Sequence, residues 1–283
     1  MNNNMKLIAD SGSTKTDWCL IDDNGERKTV QTIGINPYHM NSAAIKEVLD
    51  KELYPFIFPD AVTEIFYYGA GCSTVRKCQT IDNVLQNFFT RANIEVHHDL
   101  LGAARALCGN EPGIACILGT GSNSCFYDGN DISENVVSLG YLFGDEGSGA
   151  HMGKQLIIDY FQGVIPTDII ESFNKRYNPT VESILDAVYN QPRPSRFLAS
   201  FSPFLLENIS HPYIKGLVTN SFDEFFSRNV SRYSNYQSVK VNFTGSVAYF
   251  FRDVLLESAG KAGITTNKIY RSAIEGLIDF HIN

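Results

Sequence analysis

The chain has 283 residues, 43% hydrophobic and 19% charged, with 23 Lys plus Arg against 31 Asp plus Glu and a formal net charge of −8. At roughly 150 residues per domain this gives room for about two domains with cores of their own. It is too apolar for disorder and too acidic for a generic nucleic-acid face. No apolar stretch approaches the eighteen or so residues of a membrane helix. Residues 1–10 hold too short an apolar run for a signal peptide. The expectation is a cytoplasmic protein with neither membrane nor nucleic acid as partner. Cys19, Cys72, Cys78, Cys108, Cys116 and Cys125 contain no C-x-x-C pair, and most have apolar neighbours. They read as buried thiols.

In chain order, a strand at 6–9 enters a Gly/Ser turn and returns as a strand at 16–21. Asp23-Asn24-Gly25 then marks a hairpin, because Asn and Gly tolerate the positive φ of a tight turn. A third strand near 28–33, a helix near 42–53, a strand at 64–68, a helix near 75–92, a strand at 94–98 and a short helix from Asp99 to about 107 follow. The order βββαβαβα is a mixed α/β layout.

The pattern restarts at residue 113 with a strand at 113–118, a turn at 119–123 and a strand at 124–127. Ala-Asp-Ser-Gly-Ser-Thr at 9–14 and Leu-Gly-Thr-Gly-Ser-Asn at 118–123 share strand, glycine-serine turn and strand. This is the signature of an internal duplication. It divides the chain at about residue 112. The remainder is mostly helical, with helical periodicity at 147–161, 168–177, 181–189 and 213–232. Gln191-Pro192-Arg193-Pro194 is a loop. A strand at 238–243 runs into Thr244-Gly245-Ser246 and a further helix.

The two turns suit phosphate. Glycine lets backbone N–H groups approach an anion closely and hydroxyls add donors. Ser11, Gly12, Ser13, Thr14 and Lys15 form one candidate loop, and Gly119, Thr120, Gly121 and Ser122 the other. A carboxylate cannot bind phosphate directly, so Asp10 would act through Mg²⁺ and its waters. A simple hairpin turn explains either loop alone; two of them from duplicated halves can grip one polyphosphate. Neither G-x-x-x-x-G-K-[ST] nor a G-x-G-x-x-G between strand and helix occurs.

The loop at 10–17, Gly34-Ile35-Asn36-Pro37, the strand ending at Asp99, Leu118–Asn123, Gly144-Asp145-Glu146-Gly147-Ser148 and Phe243–Ser246 occur in that order. In this the chain resembles the N-acetylglucosamine kinases, which belong with the BadF/BadG/BcrA/BcrD-type ATPases in the actin, sugar kinase and heat-shock-70 superfamily. The resemblance covers nearly the whole chain. It implies duplicated ribonuclease H-like (actin-like ATPase) domains, 1–112 joined by a closing helix at 272–283, and 113–271, with a nucleotide and sugar cleft between them. The substrates it implies are ATP with Mg²⁺ and an amino sugar, with phosphorylation at the 6-hydroxyl; dimerisation is common in relatives.

Carried over residue by residue, the resemblance makes Asp99 the general base. Asn36, Asp145, Asn123 and Ser73 become sugar ligands, and Thr244, Gly245 and Ser246 the adenosine turn. Each has a plainer reading. Asp99 can cap the helix that follows it, Asn36 can serve the turn before Pro37, Asp145 and Glu146 can open a helix, and Thr244 or Ser246 can cap one. The first loop departs from the family by reading Asp-Ser-Gly-Ser-Thr where Asp-Gly-Gly-Gly-Thr is commoner. Two other classes compete. A BadF-type ATPase activating a CoA-linked reductase or dehydratase would carry cluster cysteines in a Cys-Ala-Ala-Gly-Thr-Gly setting, whereas Cys116-Ile117-Leu118 precedes Gly119 here. A non-catalytic nucleotide or sugar sensor would not need Asp10, Asp99 and both loops intact.

Overall fold

A computed structural model describes residues 4–282. The chain divides into two compact units. One comprises Met1–Glu111, Gly129–Ile132 and Ser272–Asn283, the other Pro112–Asp128 and Ser133–Arg271.

In the first unit β1 (Met5–Ser11), β2 (Lys15–Ile21) and β3 (Arg27–Ile33) form an antiparallel meander, and β4 (Val62–Gly69) and β5 (Asn93–His98) extend it in parallel. The sheet order is β3-β2-β1-β4-β5. Two helices intervene, α1 (Ser42–Val48), which widens into a π turn over Leu49–Leu53, and α2 (Val75–Phe88), and α3 (Asp99–Cys108) follows β5. β1 lies between two strands and is covered on both faces, so Leu7, Ile8 and Ala9 are all fully buried where a half-exposed strand would alternate. Leu7, Trp18, Ile65 and Tyr67 pack with Ile45 and Val48 of α1 and Ile81 and Leu85 of α2.

The second unit opens with β6 (Gly113–Leu118), β7 (Ser122–Tyr127) and β8 (Ile132–Asn135). Helices α4 (Gly140–Phe143), α5 (Gly149–Gln162), α6 (Thr167–Arg176), α7 (Val181–Tyr189), α8 (Pro194–Ala199), α9 (Ser202–Glu207) and α10 (Pro212–Arg228) follow. β9 (Val241–Thr244), α11 (Ser246–Phe250), α12 (Arg252–Lys261) and β10 (Thr266–Tyr270) complete it. Its sheet order is β10-β9-β6-β7-β8. The last helix, α13 (Ile274–Ile282), packs on α3 and β1 of the first unit.

The two sheets repeat one another. β1 pairs antiparallel with β2 and parallel with β4, and β6 pairs antiparallel with β7 and parallel with β9. These are duplicated ribonuclease H-like α/β domains.

Several local expectations differ from the structure. Ser122 and Asn123 already belong to β7, paired with Leu118 and Ile117, so the second turn is tighter than 119–123. Asp145 and Glu146 open no helix: Ser148 caps α5 through the His151 amide, and Asp145 sits at φ 59 in the left-handed region. Asp99 is not the cap of α3. His98 holds that place, its Nδ1 accepting from Leu101 N–H at 3.2 Å. Neither Thr244 nor Ser246 caps α11, whose cap position is Gly245. β8, β10, α4, α8 and α9 were not expected from the sequence; all are short, and α8 begins at Pro194, within the stretch expected to be a loop. No helix among the described residues is long and apolar enough to cross a membrane. All six cysteines are thiols, four of them buried.

Candidate active site

The site residues fall in both units. In the first, the loop after β1 is closed by the Gly12 N–H donating to Lys15 O at 2.9 Å. Gly34 braces it, donating its N–H to Thr14 O at 3.0 Å, and a Cβ at Gly34 would collide with the backbone of Gly12, Ser13 and Thr14. Ser11 turns its side chain inward. Its side chain is fully buried, 2.8 Å from Thr16 Oγ1, and donates to Ile35 O, so it holds the hairpin together. Lys15 is engaged too, its Nζ 2.6 Å from Asp17 Oδ2. Ser13, by contrast, is exposed at the tip of the loop.

Asp10 is the last residue but one of this strand. Its Oδ2 accepts from Ser272 Oγ at 2.9 Å and from Ala273 N–H at 3.0 Å. Burial, and then the charge of Asp17, push its carboxyl above the usual range against those two donors. Asp99 stands at the first position of α3, its Oδ1 accepting from Leu100 N–H at 2.9 Å. Solvent reaches it only in part, and burial pushes its carboxyl up to about 6, with the charge of Asp10 the second cause.

Asn36 stands two residues after the bracing Gly34. Its Nδ2 donates to Ser13 Oγ at 3.3 Å and its Oδ1 accepts from Tyr38 N–H at 2.9 Å. Gly71, at φ 80, leaves room for the Asn36 amide. Ser73 is tied to the Tyr38 hydroxyl at 2.9 Å, and Lys77 Nζ lies 4.4 Å from the centre of the Tyr38 ring. Tyr38 therefore connects Asn36, Ser73 and Lys77.

In the second unit the loop between β6 and β7 packs on the head of α5. Gly149 N–H donates to Gly119 O at 2.9 Å and Ala150 N–H to Thr120 O at 3.0 Å, satisfying first-turn amides that a helix leaves open. Asp145 is buried, and its Oδ1 accepts from Ser122 N–H at 3.1 Å and Ser138 Oγ at 3.2 Å. Burial pushes its carboxyl up as well. Gly121 lets it approach: a Cβ there would stand 2.8 Å from Asp145 Oδ2. Asn123 turns its Oδ1 to Ser124 N–H at 2.9 Å and Asn135 Nδ2 at 3.3 Å, so its amide is partly committed within the sheet. At the end of β9, Gly245 at φ 114 lies against the Leu118 backbone, where any Cβ would collide. The neighbouring Thr244 Oγ1 is buried with no hydrogen-bond partner among the described residues.

In the first unit Asp10 lies near enough for its charge to act on Asp99; in the second, Gly121, Ser122 and Asp145 form one cluster. Ser272, Tyr38 and Ser138 were not legible as participants. The hydroxyl of Ser272 stands before the closing helix, where sequence alone offers only a cap.

Among the described residues no three His, Cys, Asp or Glu side chains converge to hold a metal by themselves. Mg²⁺ does not need such a cage, because it keeps several waters and uses one or two carboxylates plus substrate phosphates. Asp10 meets that requirement. It is a carboxylate at the loop, served on its Oδ2 by two neutral donors, and its own lysine neighbour is taken by Asp17. The donor set fits a hydrated divalent cation.

The two sheets and their hairpin loops define a member of the actin, sugar kinase and heat-shock-70 superfamily. Across 98% of both chains the protein is similar to a candidate N-acetylglucosamine kinase from Porphyromonas gingivalis, with 44% identity and a TM-score of 0.93. The chain belongs to the N-acetylglucosamine kinase family. A second candidate of that description, from Chromobacterium violaceum, shares the fold at 17% identity and a TM-score of 0.66 over 99% of each chain. Component A of (R)-2-hydroxyglutaryl-CoA dehydratase from Acidaminococcus fermentans shares it at 13% identity and a TM-score of 0.51, over 97% of this chain and 95% of that one. No family model and no curated protein matches the chain.

Proposed function

We propose that this protein is an ATP-dependent sugar kinase that moves the γ-phosphoryl group of ATP to the 6-hydroxyl of N-acetylglucosamine, with Asp99 as general base. The observation that carries the reading is the Asp10–Asp99 pair. A carboxyl held at about 6 is ionised at neutral pH yet basic enough to take a proton from an attacking hydroxyl. His98 caps α3, so Asp99 is not needed for that task.

Phosphoryl transfer asks the protein mainly for positioning and charge neutralisation. In this reading the amides of Gly12, Ser13 and Thr14 and of Gly119, Thr120 and Gly121 receive the phosphates, with the Ser13 hydroxyl adding a donor. Asp10 would hold Mg²⁺ through its waters, and the ion would offset phosphate charge. Asn36 and Asp145 would bind sugar hydroxyls, since amides and carboxylates can bond two adjacent hydroxyls at once. Ser73, with Tyr38, would face the acetamido group. The turn at Thr244, Gly245 and Ser246 would receive the adenosine, where the Thr244 hydroxyl, without a hydrogen-bond partner among the described residues, offers a donor and an acceptor.

The dehydratase component supports the fold alone. Cys116, which precedes the second loop, is fully buried in β6 and unsuited to hold a cluster.

The test is ADP release over a panel of N-acetylglucosamine, N-acetylmannosamine, N-acetylmuramic acid and glucosamine, with Asp99→Asn as control. N-acetylglucosamine should stimulate release most, and the variant should lose the stimulation. Release independent of every sugar would overturn the reading.

A further inference from the structure

Ser272 takes no part in the chemistry described above, yet its side chain meets two acidic residues. Its Oγ lies 2.9 Å from Asp10 Oδ2 and 2.8 Å from Asp17 Oδ2. A serine hydroxyl has one hydrogen to give, so the two carboxylates compete for it. Asp17 is otherwise well supplied: Lys15 Nζ stands on its Oδ2 at 2.6 Å and Gln31 Nε2 on its Oδ1 at 2.7 Å. Among the described residues, Asp10 has the Ala273 amide beside the serine. The hydrogen does more at Asp10.

Both donors to Asp10 come from the residues that lead into α13, and α13 is fixed from its far side. Gly276 lies so close to α3 that a Cβ would collide with the Ala106 carbonyl. Leu277 and Ile278 are buried, and Lys6 Nζ donates to His281 O at 2.8 Å. The helix therefore contacts α3, which begins at Asp99, and delivers two hydrogen bonds to Asp10. Two donors on one carboxylate oxygen fix the plane of the group and reserve that oxygen, so the other is the one presented to a ligand.

We propose that Ser272 is a positioning residue for Asp10: its hydroxyl and the Ala273 amide clamp Oδ2 and thereby orient the carboxylate toward the hydrated cation of a bound metal–nucleotide complex. This rests on the reading of Asp10 as the cation-facing carboxylate.

The experiment measures Mn²⁺ affinity by electron paramagnetic resonance with ADP present and no sugar, on the full-length protein and on Ser272→Ala and Ser272→Thr. Melting curves check that each is folded. Removing a hydrogen bond to a charged group should weaken Mn²⁺ by roughly tenfold in the Ala variant. The Thr variant, which keeps the hydroxyl, should fall within about threefold of the parent. In steady-state kinetics the Ala variant should need more Mg²⁺ to reach its maximal rate while its KM for the sugar is unchanged. If the Ala variant binds Mn²⁺ within twofold of the parent, the positioning role is wrong and the kinase reading stands. Equal losses in Mn²⁺ and sugar affinity would also refute it, because they describe general loosening. A parent protein that binds no Mn²⁺ with ADP overturns the nucleotide reading and this proposal together.

Discussion

The charge of Asp10 bears on the carboxyl of Asp99: after burial, it is the second cause that pushes Asp99 up to about 6. β1 carries Asp10 to its end, and β5, two strands away in the same sheet, delivers Asp99 to the start of α3. One sheet edge thus collects two carboxylates from positions almost ninety residues apart in sequence. Retaining both in a crowded place costs stability, and this makes the centre testable apart from activity.

Asp99→Asn should abolish the base while leaving the shape of the side chain. The expected loss is about a hundred- to ten-thousandfold in kcat, with KM for the sugar changed little. Initial rates across a sugar titration check this.

The same substitution should stabilise the fold. Between pH 3.8 and about 6 the folded chain keeps the Asp99 proton and the unfolded chain does not, so stability falls as pH rises through that window and stays lower above it. Two pH units correspond to at most about 3 kcal/mol, and partial solvent access screens part of that. The Asn variant should therefore melt a few degrees above the parent at pH 7.5, with the difference closing as the pH approaches 4. Calorimetry at both pH values reads it.

Activity should follow the opposite sign. A general base must be ionised, so kcat/KM should fall below about pH 6 as Asp99 takes up its proton. That acid limb should be missing from the residual activity of Asp99→Asn.

Two glycine variants separate the loops. A Cβ at Gly34 meets only backbone of the first loop, whereas one at Gly121 meets the Asp145 carboxylate. Overpacking of this kind costs roughly 1–3 kcal/mol when neighbours must shift. Gly34→Ala should raise KM for ATP with little effect on the sugar. Gly121→Ala should raise KM for the sugar at least as much as for ATP. Two-substrate kinetics on both variants test the assignment.

Much of this was legible in the chain. The glycine-serine turns at 10–15 and 119–122 disclose the duplication because such turns need small residues at fixed places, and hydrophobic runs such as Leu7-Ile8-Ala9 are what a doubly covered strand requires. Partnerships across long sequence separations were not legible. Nothing near Ser11 says that its hydroxyl turns inward to Thr16 and Ile35, and nothing near Ser272 announces Asp10, 262 positions earlier. Asp145 misled for a related reason. Acidic residues before a helical pattern resemble a helix start, yet here a left-handed residue and Ser148 precede α5.

The most direct measurement of the proposed transfer is the ³¹P NMR spectrum of a reaction holding ATP, Mg²⁺ and N-acetylglucosamine. Transfer to the 6-hydroxyl places phosphorus next to a CH₂ group. The expected result is therefore a new phosphomonoester triplet that grows with ADP and is absent with Asp99→Asn. Growth of inorganic phosphate alone, or a doublet from phosphate on a ring carbon, would contradict it.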